Sequence, residues 1–432
     1  MRALSVSLLL SVLLTSSLTV GAASKPAKPV KKTEPAAKPE MLLAHPFGQS
    51  AEAELQKLVD RFNGENPGMP IRLVRLAEGG KPALLNILRR TQVAEFTARK
   101  AAFKPLHAVL KEGGQSLDAA AISRDLRNGV VDDKGRLVAL PVAYSTVVLF
   151  YNRNAFRKAK LDPDNPPATW AEMQEAAGKL LAAGYECPYT TSWPTWVHVD
   201  NISALSGSPV TNGKGDLAFN GFVGVKHLAK LSSWKKTGYF HVFGRRDEAD
   251  DKFRDGECVM LTSNSSAYVD FLDAKGIELG VAPLPHYDDN FGGRQSTLAD
   301  GASLWIGGDH KAADYKAAAQ FVKFMLKPET QLQLANAYGQ LPMTQAARDA
   351  IRDKAPRGQA QALEVAYASL KGEGNRSPVR ISAIDPVRII LDEELEKLWA
   401  DRIPPKQALD VAVTRGNAVL KARPGLRKVV PF

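Results

Sequence analysis

An α/β fold, with parallel sheet flanked by helices, is predicted on three observations. The folded body opens with a strand–helix–strand unit. Short strand and helix signals then alternate with no internal repeat and no heptad run. A chain of 432 residues, 44% of them hydrophobic, is also long enough to build more than one packed body.

In the opening unit Met41–His45 reads as a strand. A helix capped near Ser50 follows, with Leu55, Leu58, Val59 and Phe62 on one apolar face and Gly64 as its stop. Ile71–Val74 is the next strand. The apolar run Val147–Tyr151 has the length of a buried strand, and its Tyr-Asn exit leads into a short polar helix. A Pro-rich loop comes next, and the capping box Thr169-x-x-Glu172 opens a helix that Leu180, Leu181 and Gly184 close. Val259–Leu261 and Val281–Pro283 are short strands, and Ser303–Ile306 reads as a return strand. Tyr315–Leu326 is helical, packing through Phe321, Phe324 and Met325, until Lys327-Pro328-Glu329 breaks it and starts another helix. Leu391, Leu395, Leu398 and Trp399 sit at helical spacing, Pro404-Pro405 is a stop, and Lys406–Leu420 forms the last helix.

The N-terminus is laid out for export. Arg2 is followed by the apolar Ala3–Val20 and the small residues Gly21-Ala22-Ala23, so residues 1–23 are expected to be a cleaved signal peptide. Serines and threonines interrupt the run and no basic flank follows directly, which argues against a membrane anchor. No cysteine lies near the cleavage site, which excludes a lipoprotein. Residues 24–40 form a Lys/Pro/Ala tether with no means of packing a core. Of the formal net charge of +11, Arg2 and the tether carry a net four units, which leaves a moderately basic body. No basic stripe interleaved with aromatics and no RNA or DNA motif is present, so nucleic acid is not an expected partner.

Enzyme signatures are missing as well: there is no HExxH, GxSxG, Walker loop or CxxC pair. Gly292-Gly293-Arg294 lacks P-loop spacing, Asp247-Glu248 and Asp392-Glu393-Glu394 read as solvated faces, and the seven histidines show no metal-ligand spacing. No catalytic residue, metal or cofactor is expected. Two cysteines, Cys187 and Cys258, could pair in an oxidising compartment or pack as buried thiols.

The order of elements around Leu140–Met173 resembles the strand that crosses between the lobes of extracellular solute-binding proteins of ABC importers. The stretches RFNGENP (Arg61–Pro67), LFYNRNAF (Leu149–Phe156), LDPDNPPATW (Leu161–Trp170), GRRDEADDKFRDGECVM (Gly244–Met260), DGASLWI (Asp300–Ile306), GQLPMT (Gly339–Thr344) and ILDEELEKLW (Ile390–Trp399) extend the resemblance to most of the body. They place it nearest the periplasmic branch that binds sn-glycerol 3-phosphate. The resemblance implies a two-lobe periplasmic-binding-protein fold (type II) with a cleft between the lobes. Chain crossings are implied near Tyr144–Leu149 and Leu298–Ser303, with 41–146 plus 300–345 in one lobe and 147–299 plus 346–432 in the other. It also implies a periplasmic monomer that passes a small solute to an ABC permease and its ATPase subunits. The family places cysteines at both Cys187 and Cys258.

By the same resemblance, Ser145 on the crossing strand, Gly301 through its backbone, Arg388 as phosphate anchor and Trp193 as cleft wall are ligand residues, with Tyr144 beside Ser145 and Trp196 close to Trp193. Such a ligand calls for a guanidinium fork, hydroxyl and backbone N–H donors and an aromatic face. Each also has a plainer reading: Ser145 as a partner of nearby backbone, Arg388 as a surface pair with Asp392, and the tryptophans as core.

Several positions depart from the family. Glu78-Gly79-Gly80 stands where it has a tyrosine. The segment that should end in a ligand-binding glutamate is shortened, leaving Arg89–Glu95. Gln340 replaces the tyrosine of a Gly-Tyr-Leu-Pro motif, Asn264 replaces a serine, and Asp300 replaces the glycine before Gly301. A carboxylate about 4 Å from an anion costs about 4 kcal/mol per unit charge at intermediate dielectric unless protonated or paired. Asp300 therefore either points away or implies a ligand less anionic than glycerol 3-phosphate, such as a glycerophosphodiester or a sugar. The alternative is a sensor or adaptor that has lost transport-ligand binding.

Overall fold

The computed structural model describes residues 40–76, 81–98, 102–127, 129–132, 134–212, 214–288, 296–371, 380–381, 384–422 and 429–430. The expected signal 1–23, residues 24–39 of the tether, Glu78-Gly79-Gly80 and Gly292-Gly293-Arg294 lie outside the described residues.

In the first sheet β1 (Met41–His45) runs parallel to β2 (Ile71–Arg75) and β3 (Leu85–Arg89), one on each side. The strands β4 (Phe103–Lys104) and β5 (Leu140–Ser145) join that sheet only through a strand that arrives much later in the chain. The second sheet holds β6 (Val147–Asn152), β7 (Cys187–Thr191), β8 (Phe240–His241), β9 (Cys258–Asn264) and β10 (Leu279–Pro283), in the order β10-β6-β9-β7-β8. The late strand, β11 (Asp300–Gly307), returns to the first sheet and lies antiparallel to β3, β4 and β5. The chain thus passes between the sheets twice. Only Thr146 separates β5 from β6, and it holds the second passage: its Oγ1 lies 2.8 Å from Thr297 Oγ1 and donates to the Leu298 carbonyl at 2.9 Å.

The run Val147–Tyr151 is apolar throughout because both faces of β6 are covered. Val148 and Phe150 pack into one core, and Val147, Leu149 and Tyr151 into the other. Leu55, Leu58, Val59 and Phe62 are buried as the periodicity demands, with Phe62 edge-on to Phe321 and Phe324 at 5.2 and 5.3 Å. Each such side chain contributes about 1.5–3 kcal/mol of burial. Thr169 and Glu172 form the reciprocal capping box of the helix Trp170–Ala182.

Three helix ends differ from the sequence reading. The helix Gln49–Glu65 starts from Gly48, so Ser50 lies inside its first turn. It also runs past Gly64, because Asn66 N–H still donates to the Phe62 carbonyl and the packing of Phe62 outweighs the ~1 kcal/mol helical cost of glycine. Pro405 is the first residue of the last helix, Pro405–Ala422, where a missing N–H costs nothing. Between β2 and β4, the strand β3 and the helix Arg90–Ala98 had no clear sequence signal.

Cys187 and Cys258 stand side by side on the parallel pair β7 and β9 and form a disulfide. The bond closes a separation of 71 residues, for which loop entropy predicts about 4 kcal/mol. A Cys187→Ser/Cys258→Ser double variant should therefore unfold at lower urea by that margin; an unchanged midpoint would show that the cross-link does not constrain the unfolded chain.

Candidate functional site

Both passages between the sheets open onto one polar cluster. Antiparallel register places Ser145 opposite Asp300 and Tyr144 opposite Gly301. Position 301 must be glycine: a Cβ there would lie 1.9 Å from the Ala143 carbonyl oxygen. Tyr144 is buried, its hydroxyl 3.1 Å from Ser303 Oγ, and its carbonyl accepts the Leu341 N–H at 2.8 Å. That bond carries the Gly339–Pro342 segment to the crossing. Gly339 ends the helix Pro328–Tyr338 at φ +63°, and a Cβ would meet the Ser266 carbonyl at 2.1 Å, so this turn also requires glycine. Next to it Gln340 is 4% exposed, with its Oε1 buried and unpartnered among the described residues. Asn264 lies opposite Val147 on β9 and accepts from Ser266 Oγ.

Arg388, on the helix Ile384–Trp399, sits at the centre. Its Nε donates to Asp200 Oδ2 at 2.7 Å, and its two terminal nitrogens lie 3.1 and 3.2 Å from Asp300 Oδ2. Arg90, the first residue of its helix, reaches the same Asp300 oxygen at 3.2 Å. The other oxygen, Oδ1, accepts the Gly301 N–H at 2.8 Å. Two guanidinium groups and two carboxylates thus form one network, with Asp200 and Asp300 side chains 4% and 14% exposed. Burial pushes the Asp200 carboxyl up, while the Arg388 guanidinium pulls the other way.

The geometry revises the sequence reading at three points. Asp300 is paired, so it does not face the cluster as a bare charge. The Gly301 N–H, expected to meet ligand, is taken by its own neighbour. The Arg388 fork is directed to Asp200 and Asp300, whereas Asp392 accepts from Thr195 Oγ1 at 2.5 Å.

The tryptophans divide. Trp196 is 9% exposed and belongs to the second core. Trp193 is half-buried at the edge of that core, with φ +52° and the Arg246 guanidinium 5.4 Å from its ring centre. A bulky residue at positive φ stores strain of order 1–3 kcal/mol, held here by the Trp193 N–H to the Arg246 carbonyl at 2.7 Å. Behind it the π-helical turn Trp196–Asn201 delivers Asp200 to Arg388, and Asn201 Oδ1 accepts the Leu298 N–H at 2.8 Å.

Arg90 and Asp200 escaped the sequence reading. Asp200 left a usable signal, a lone acid in the apolar run WVHVDNI, which demands a buried cation partner. Arg90 left no local signal of its own.

Two mixed sheets joined by paired crossings, with a polar cluster where they meet, define a solute-binding protein. The bacterial extracellular solute-binding protein family matches residues 58–360, and the chain belongs to that family. It is 35% identical over 408 residues to the sn-glycerol-3-phosphate-binding periplasmic protein UgpB of Pectobacterium atrosepticum, covering 87% of this chain and 91% of that one. Against UgpB of Escherichia coli K12 the identity is 34%, with 87% and 92% covered. UgpB from Mycobacterium tuberculosis in complex with glycerophosphocholine superposes with TM-score 0.71 at 17% identity, over 90% of this chain and all of that one (100%). The cyclic alpha-maltosyl-1,6-maltose binding protein from Arthrobacter globiformis gives 0.69 at 21%, over 89% and 100%. At such identities the structures show the fold alone. These relatives are binding proteins rather than enzymes, and the family supplies the substrate-binding components of ABC importers. Among the described residues no helix is long and apolar enough to cross a membrane.

Proposed function

We propose that this protein captures a small polar solute between two lobes hinged at Thr146 and Thr297–Leu298 and delivers it to an ABC permease served by its ATPase subunits. The solute classes are glycerol 3-phosphate, a glycerophosphodiester or a sugar-like molecule. The lobes are 41–146 plus 300–345 and 147–299 plus 346–432, and residues 1–23 export the chain to the periplasm, where it works as a monomer. Tyr144, Ser145, Asn264, Asp300, Gly301, Gln340 and Arg388 bind the solute, with Trp193 as its wall.

One observation carries this reading: residues from both sheets and from three distant helix ends converge where the two crossings touch, the place where rotation about a hinge opens and shuts a cleft. The Gln340 Oε1, unpartnered among the described residues, is an acceptor on the turn that the Leu341 N–H ties to Tyr144.

Differential scanning fluorimetry with glycerol 3-phosphate, glycerophosphocholine and maltose tests it. At a hundredfold excess over Kd a bound solute stabilises the folded state by about 2.7 kcal/mol, a rise of several degrees. A flat response across these and a wider solute panel would instead favour the adaptor reading, in which Arg388 is a structural cation already satisfied by Asp200 and Asp300.

A further inference from the structure

We infer that Asp300, held in place by Arg90, is a specificity-determining residue that converts the anion anchor of this site into a receptor for a zwitterion. The inference rests on the solute-capture reading above and narrows its substrate class.

Among the described residues Arg90, Arg388, Asp200 and Asp300 bring two positive and two negative groups into one contact network, which offers a dianion no surplus of positive charge. An anionic group that approaches Arg388 must compete with carboxylates already seated on its fork. Displacing Asp300 from Arg388 leaves that carboxylate tied to Arg90 and to the Gly301 N–H, so it cannot swing away to solvent. It stays beside the incoming anion and repels it.

A solute that also carries a cation removes this conflict. Its anionic oxygen takes the Arg388 fork while its ammonium takes Asp300 in place of the guanidinium. Every buried charge then keeps an opposite partner, the condition under which desolvated ions are tolerated. A monoanion without the cation brings its negative charge beside the Asp300 carboxylate with nothing of opposite sign added, and a phosphomonoester dianion adds a second unit of repulsion. The discriminating chemistry is therefore a separated pair of opposite charges. Arg90 is a positioning residue in this scheme: it touches Asp300 and fixes where the negative charge sits.

Titration calorimetry on the purified mature chain tests the scheme with four probes. These are glycerophosphocholine and glycerophosphoethanolamine (zwitterions), glycerophosphoglycerol (a diester monoanion without a cation) and glycerol 3-phosphate. The expected result is affinity for at least one zwitterion ten times or more that for glycerophosphoglycerol, with glycerol 3-phosphate weakest. Asp300→Asn keeps the side-chain shape and should collapse that ratio to within about threefold, chiefly by tightening the two anions. Arg90→Gln removes the guanidinium that holds the Asp300 carboxylate and should also narrow the ratio, so the pair of variants stays informative if one folds poorly.

Glycerophosphoglycerol binding as tightly as both zwitterions, or an Asp300→Asn variant that keeps the wild-type ratio, overturns the role given to Asp300 while leaving solute capture intact. Maltose binding with no response to any of the four phosphates also overturns it and leaves capture standing. No binding of any probe, maltose included, removes the functional reading and this inference with it.

Discussion

An Arg388→Ala variant should lose solute binding by a hundredfold or more and fall in stability by about 3–5 kcal/mol, the cost of leaving a buried ion without its partner. The two losses have different origins. Asp300 keeps Arg90 and the Gly301 N–H when Arg388 is removed, but Asp200, with a side chain 4% exposed, loses the cation beside it. Burial already pushes the Asp200 carboxyl up, and without the guanidinium it should rise further. A carboxyl whose folded pKa lies above its unfolded value weakens the fold at high pH, and that penalty shrinks as pH falls through the folded value. The Arg388→Ala deficit, measured by urea unfolding, should therefore be larger at pH 8 than at pH 5. An Arg388→Ala/Asp200→Asn double variant should recover much of the stability while solute binding stays lost, because no fork remains. Unimpaired binding by Arg388→Ala would remove Arg388 from the site, and a deficit independent of pH would mean that Asp200 is not the stranded charge.

The fold was largely legible in the chain because its signals are local. Leu55 to Phe62 repeat with the helical period, Thr169 and Glu172 spell out a capping box, and the five-residue apolar run Val147–Tyr151 has the length of a strand covered on both faces. Helix starts at Gly48 and Pro405 were less legible, since glycine and proline serve as stops and as starts and only neighbouring packing decides which. The short segment between β2 and β4 hid β3, whose strand character depends on its pairing with β1 and with the distant β11. The candidate positions came from the family resemblance, and the register of β5 with β11 brings Ser145, Gly301 and Asp300 to one place. Their pairing was not legible. That Asp300 meets Arg90 across 210 residues and Arg388 across 88 is a product of tertiary assembly with no trace in local spacing. The same holds for the Gly301 N–H, which the resemblance assigned to a ligand and which the fold turns onto the Asp300 carboxylate.

Acid should weaken the fold through a pair of histidines in the second core. His198 and His227 are fully buried, with His198 Nδ1 2.9 Å from His227 Nε2 and His227 Nδ1 3.0 Å from the Tyr287 hydroxyl. The groups around them are Tyr189 on β7, Trp170, Tyr287 and the Lys230 ammonium on the helix Phe222–Lys236, with no carboxylate among these contacts to reward a proton. Burial lowers the His198 imidazole to about 3 and holds His227 well below its ordinary value, to which Lys230 adds repulsion. Both histidines therefore bind fewer protons folded than unfolded once the pH drops below about 6.5. Their contribution is complete above that value and is lost downward at about 1.4 kcal/mol per pH unit for each imidazole, on the order of 5 kcal/mol for His198 by pH 3. Asp250 works in the opposite direction: burial raises its carboxyl to about 6, so the folded state takes up that proton first. The histidine effect is isolated by comparing wild type with His227→Gln, which keeps an amide in the buried chain but cannot titrate in this range. Urea unfolding should show a stability difference that is flat from pH 8 to 7 and then moves against the wild type by at least 1 kcal/mol per unit below pH 6. A difference that stays constant down to pH 4 would mean that the imidazoles take up protons in the folded state, and that the core around Tyr189 and Tyr287 is open to water.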